Sequence, residues 1–130
     1  LELTESMLVI DKNIIASKMS ALNELGILFS LDDFGTGYSS LSYLQKLPFD
    51  QLKIDQSFVR GLSGDDDGGS LAHAIAAMGS SLGLEVIAEG VETQEQFDLL
   101  KQCNCDLFQG YFMGYPVPVK ELESRFSSAQ

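Results

Sequence analysis

At 130 residues, 45% of them hydrophobic, the chain has the length of one domain and enough apolar material for a packed core, which sets it apart from disordered segments. Asp and Glu number 19 against 8 Lys and Arg, and the resulting charge of −11 argues against a nucleic-acid polymer or an anionic membrane surface as partner. No apolar run approaches the roughly 18 residues of a membrane span and no signal-peptide pattern occurs, so the segment reads as soluble and cytoplasmic, within a parent that could itself be membrane-anchored.

Leu1-Glu2-Leu3-Thr4-Glu5 alternates apolar and polar residues as a strand does, and a chain that opens inside such an element reads as part of a longer domain. Ile14, Ile15, Met19, Leu22 and Leu25 recur at helical spacing, and Gly26 suits a helix end. Ile27–Leu31 is the expected second strand, leading into Asp32 and Asp33 and then the loop Gly35-Thr36-Gly37-Tyr38-Ser39-Ser40. Side chains alternate along a strand, so the two acids are expected on opposite faces and in different roles. Taken alone, such a pair is an ordinary solvated feature of a strand exit, yet acids ending a buried strand are costly unless a cation compensates them. Leu41–Leu47 reads as a short helix stopped by Pro48. Gln51–Asp55 reads as a third strand, with Lys53 and Asp55 on one face and Leu52 and Ile54 on the other. Gly61–Gly69, with Asp65, Asp66 and Asp67, reads as a flexible acidic surface loop.

Leu71–Leu82 returns to helix, closed by Gly83, with His73 expected on its surface. Glu85–Ala88 is a fourth strand whose exit, Glu89-Gly90-Val91-Glu92, again carries carboxylates. Thr93 with Gln96 forms a capping-box signature for a helix over Gln94–Lys101. Cys103 and Cys105, one residue apart, are poorly spaced for a disulfide or a zinc site and read as buried thiols of a reducing compartment. Leu107–Tyr111 is a fifth short strand carrying Gln109, Pro116 and Pro118 bracket a turn, and Val119–Phe126 is a terminal helix.

Strand and helix thus alternate five times, at lengths that suit right-handed βαβ crossovers. Two α/β folds accommodate this: a five-stranded doubly wound sheet, or the last five β/α units of a TIM-type (β/α)8 barrel. In both, function sits at the carboxyl edge of the strands, where Glu2 and Glu5, Asp32 and Asp33, Lys53 and Asp55, Glu89 and Glu92, and Gln109 all fall. That coincidence moves the acids from surface decoration to a candidate site. Carboxylates with one lysine suit hard divalent cations, Mg2+ or Mn2+, better than zinc. Acids in series permit a two-metal arrangement for phosphoryl transfer, in which Lys53 stabilises charge on a phosphate and Glu89 completes a metal shell or takes a proton from water.

Glu2-Leu-Thr-Glu-Ser, Asp32-Asp-Phe-Gly-Thr-Gly-Tyr-Ser-Ser-Leu41, Lys53-Ile-Asp55, Ala88-Glu-Gly-Val-Glu92 and Gln109-Gly110 resemble, in order and spacing, the EAL-domain cyclic-di-GMP phosphodiesterases. The resemblance runs the length of the chain and implies a modified TIM barrel in which one strand runs antiparallel. It also implies metal-dependent hydrolysis of cyclic di-GMP to the linear dinucleotide pGpG. By the same resemblance Glu2 and Asp32 hold a first metal and Asp33 a second, Lys53 holds the catalytic water, and Glu89 is a further metal-site carboxylate. Glu92 steadies the loop of Gly35, Thr36 and Gly37, Gln109 hydrogen-bonds metal-bound water, and Glu5 has a supporting or helix-starting role. Two ions, Mg2+ or Mn2+, cyclic di-GMP as ligand, a homodimer and a parent with GGDEF or sensory domains complete the implied picture. The Glu-Ala-Leu strand that names the family and the Asn of the following strand precede Leu1 in family members. Residues 1–130 are therefore expected to be the C-terminal portion of one EAL domain, inactive alone. The competing expectation is a non-catalytic EAL-like receptor or interaction module.

Overall fold

The computed structural model describes residues 1–4, 7, 12–36, 41–63 and 68–127. Glu5, Gly37 and Asp65 to Asp67, all singled out in the sequence, lie outside the described residues. Five strands stand side by side in chain order: β1 (Glu2–Thr4), β2 (Ser30–Phe34), β3 (Gln51–Ile54), β4 (Glu85–Glu89) and β5 (Leu107–Gln109). Every neighbouring pair is parallel. A doubly wound sheet would reverse its strand order part-way; this one does not, and it forms part of a barrel wall. The connections are α1 (Lys12–Asn23), α2 (Leu41–Lys46), α3 (Gln56–Arg60) with a 3-10 turn at Gly61–Ser63, α4 (Gly68–Ser81) and α5 (Gln94–Gln102). Helix α6 (Val119–Ser127) follows the last strand.

The sheet has two unlike faces, and strand alternation explains why. Leu31, Leu52, Ile54, Val86 and Ala88 point to the helix side and are at most 1% exposed. Each such Leu, Ile or Val contributes about 1.5–3 kcal/mol by leaving water. Helix α4 lies so close to this face that a Cβ on Gly79 would stand 2.6 Å from Val86 Cγ2 and 3.2 Å from Leu52 Cδ2. Phe97 of α5 packs its ring 4.7 Å from that of Phe108 in β5. The opposite face carries Glu2, Asp32, Gln51, Lys53, Glu85, Glu89 and Gln109, all brought into neighbouring positions by the parallel register.

Several boundaries differ from the sequence reading. The strand expected at Ile27–Leu31 begins at Ser30, because backbone partners on both sides first become available there. Before it, the Phe29 N–H donates to Asp50 Oδ2 at 2.7 Å, and Leu28 is exposed. Asp55 does not extend β3. It caps α3, a helix absent from the sequence reading, by accepting the Ser57 N–H at 2.8 Å. The stretch read as loop to Gly69 contains the 3-10 turn, and α4 starts at Gly68. Strand β5 stops at Gln109, leaving Tyr111 in a turn. The capping box of α5 is present in both halves: Gln96 N–H donates to Thr93 Oγ1, and Thr93 N–H donates to Gln96 Oε1.

Candidate active site

Parallel strands end at one edge, and β2 brings its acids there through an irregularity. Leu31 pairs with Leu52 and Phe34 with Ile54, so Asp32 and Asp33 together oppose the single Lys53. Leu52 and Ile54 share a face, hence so do Leu31 and Phe34 although three residues separate them. The extra residue absorbs the step that would have sent Asp33 to the helix side, and the expected alternation of the two acids does not hold. Asp33 takes the left-handed conformation at φ 57, one that Asp tolerates better than most side chains. Its N–H donates to Asp32 Oδ1 at 2.9 Å, and its carbonyl accepts from Thr36 N–H at 3.2 Å and Thr36 Oγ1 at 2.7 Å. Gly35 follows at φ +90, where a Cβ would meet the Phe58 ring at 3.2 Å and Ile75 at 3.3 Å. The conformation favours glycine there, and a Cβ would also press on both side chains.

Lys53 is the centre of the site, and Glu2, expected at the carboxyl end of its strand, reaches it from the first residue of β1, opposite Ser30. The lysine side chain is 7% exposed, and Nζ stands 2.5 Å from Glu89 Oε1, 2.9 Å from Glu2 Oε1 and 3.6 Å from Asp32 Oδ1. Burial by itself pulls the ammonium's pKa down, but the hydrogen bonds to Glu89 and Glu2, with the charges of Glu89 and Asp32, outweigh it and hold the pKa above the ordinary lysine value. Lys53 is therefore a permanent donor, not a base. The same bond and charge hold the Glu2 carboxyl below its usual range. One ammonium among three carboxylates leaves a local charge of 1 − 3 = −2 before Asp33 is counted.

Glu92 and Gln109 fall at the same edge but not in the Lys53 cluster. Glu92 Oε1 pairs with Arg60 Nη2 at 3.5 Å, and its N–H donates to Gln96 Oε1 at 2.8 Å. Gln109 lies beside Glu89 in register and lines, with Gln56, Arg60, Gly90, Glu92, Gly110 and Tyr111, a cavity of about 220 Å3. Gln56 and Arg60 were missed in the sequence because α3 was missed; Asp55 followed two residues later by Ser57 was the signal for its N-terminus.

The cluster's surplus negative charge and its all-oxygen donors fit a hard divalent cation in chemistry. Among the described residues no three acids stand close enough to enclose an ion unaided, and the Lys53 ammonium sits between Glu2, Asp32 and Glu89.

The EAL domain family model matches residues 1–116. The chain is 45% identical over 123 residues to the cyclic di-GMP phosphodiesterase NbdA of Pseudomonas aeruginosa, covering 95% of itself and 16% of that protein. It superposes with TM-score 0.86 and 43% identity on the MucR phosphodiesterase of Pseudomonas aeruginosa in complex with cyclic di-GMP, covering 94% of itself and 49% of that chain. With the Klebsiella pneumoniae BlrP1 manganese and cyclic-di-GMP complex the TM-score is 0.75 at 33% identity, covering 85% of this chain and 28% of that one. The chain thus spans about half or less of these proteins.

Proposed function

Because this chain belongs to the EAL domain family, we propose that its carboxyl edge is part of a phosphodiesterase site that opens cyclic di-GMP to linear pGpG. The observation that carries the proposal is Lys53 held within 2.5–3.6 Å of Glu89, Glu2 and Asp32 at the end of the parallel strands. Glu2, Asp32 and Asp33 would hold Mg2+ or Mn2+, as a pair of ions in the complete site. A bound ion of this kind supplies charge neutralisation at phosphorus and makes water more acidic.

The chain's own side chains have separable tasks in this reading. Lys53, permanently charged, donates a hydrogen bond to the attacking water or to a phosphoryl oxygen and holds it in line. Glu89, its nearest carboxylate, accepts the water proton. The water oxygen then bonds to phosphorus as one bridging P–O bond of the ring breaks. Gln109 orients the same water from the neighbouring strand. Glu92 would steady the loop of Gly35, Thr36 and Gly37, and Arg60 holds the Glu92 carboxylate. The parent would be a cytoplasmic-facing signalling protein with further domains, of GGDEF or sensory type, working as a homodimer. NbdA and MucR are both much longer than this chain, and MucR is described as also a diguanylate cyclase.

Asp32→Asn in the domain that contains this chain tests the assignment. The substitution removes one charge and one ligand, so Mn2+ affinity measured by titration should fall and cyclic-di-GMP turnover should drop by about a hundredfold or more. Unchanged metal affinity and turnover would remove Asp32 from the site.

A further inference from the structure

The helix-covered side of the sheet holds a second pair of reactive groups that the carboxyl edge does not use. The chain contains 1 His and 2 Cys, and that histidine meets one of the cysteines: His73 Nδ1 on α4 lies 3.2 Å from Cys103 Sγ, the residue that caps α5. If Nδ1 bears no proton, the thiol donates to it; if it bears one, the ring donates to sulfur. The first arrangement puts a base in contact with the thiol proton, and the second, an N–H aimed at sulfur, favours the thiolate. Both side chains border a cavity of about 340 Å3, walled by Leu62, Leu99 and Gln102, between α4, α5 and the 3-10 turn. Cys105 provides the contrast. It is equally buried, but its Sγ lies 3.4 Å from the Val86 and Leu107 carbonyls and borders no part of that cavity. Burial pushes both thiols up, Cys105 to about 12, so neither ionises readily without help.

We propose that Cys103 and His73 form a thiol-oxidation site for hydrogen peroxide, with His73 as the proton carrier. The sulfur attacks one peroxide oxygen, the S–O bond forms as the O–O bond breaks, and the thiol proton passes through His73 Nδ1 to the departing hydroxide. The thiol is oxidised to a sulfenic acid and the peroxide is reduced to water, with atoms and electrons balanced. A small oxidant is the fitting class, because the buried sulfur borders a cavity whose walls are largely apolar. The position also gives the modification a consequence. Cys103 N–H donates to the Leu99 and Leu100 carbonyls at 3.1 Å each, closing α5, and Asn104 at φ 59 then turns the chain toward β5 and Gln109. An added oxygen at Cys103 presses on the seam that sets that strand.

The domain that contains this chain is exposed to hydrogen peroxide, trapped with a sulfenic-acid-specific cyclic dione, and analysed by peptide mass spectrometry. The label should appear on Cys103 and not on Cys105, and His73→Gln, which keeps a hydrogen-bonding group but cannot take up and pass on a proton, should slow labelling about tenfold or more. His73 is exposed, so the substitution leaves the core untouched. Labelling of both cysteines at equal rates, labelling of neither, or an unchanged rate in His73→Gln would each overturn the proposal.

Discussion

Lys53 shows how one residue can be both structural and chemical. Buried beside Glu89, Glu2 and Asp32, it ties β1, β2 and β4 to its own strand and keeps its proton throughout the physiological range. Lys53→Met retains the stem and removes the charge. It should lower turnover by about two to three orders of magnitude while leaving metal affinity equal or higher, since an ammonium no longer competes for the carboxylates. Steady-state kinetics alongside Mn2+ titration checks this; loss of metal affinity without loss of turnover would exclude the role. Cys105 makes a second prediction at this scale. Its folded-state pKa is raised by burial from 9.0 to about 12, so its contribution to stability is complete below pH 9 and is lost as pH rises toward 12. Chemical denaturation across that window should show a shallower fall in stability for Cys105→Ala than for the parent chain. Parallel slopes would contradict the burial argument.

At the scale of elements, the strands are locked at the end away from the site by a repeated device. Asp50 accepts the Phe29 N–H at 2.7 Å, and Asp106 accepts the Val86 N–H at 2.8 Å, each acid preceding one strand and holding the entry of its neighbour. A charged hydrogen bond of this kind contributes about 1.5–3 kcal/mol. Asp106→Ala should therefore lower stability by about that amount in urea denaturation with little effect on turnover, because the site is at the other edge. A neutral effect on stability would show the bond to be incidental. Much of this architecture was legible in the sequence, since helix periodicity, the Thr93 and Gln96 cap and the polar strand exits are all local signals. The bulge at Asp33 was not, because it is a matter of which residue on β3 pairs with which on β2. Helix α3 was missed because five residues are too few for a periodic pattern, leaving only the Asp55 cap to announce it. The Glu2, Lys53 and Glu89 contacts join residues far apart in the chain; the polar strand exits and the family resemblance singled out the residues, but not which of them touch.

At the scale of the molecule, the parallel wall exposes apolar surface that a closed barrel would cover. Leu1, Leu107, Tyr115, Leu122 and Phe126 are all large and exposed, and β1 and β5 each pair on one side only among the described residues. Such edges recruit further strands. Residues 1–130 expressed alone should therefore dimerise or aggregate at micromolar concentration, and a stable monomer by sedimentation velocity would contradict this. The chain spans about half or less of the relatives it matches, and a hard cation with too few protein ligands is held weakly, in a loose site that loses the positioning on which rate depends. The central claim is best tested by chromatographic product analysis of cyclic di-GMP incubated with Mg2+ or Mn2+, comparing residues 1–130 with the longer domain. The longer domain should yield pGpG and lose that activity on chelation of the metal, while residues 1–130 should yield negligible product. Equal pGpG formation by both, or tight binding of cyclic di-GMP by the longer domain with no hydrolysis, would contradict the claim.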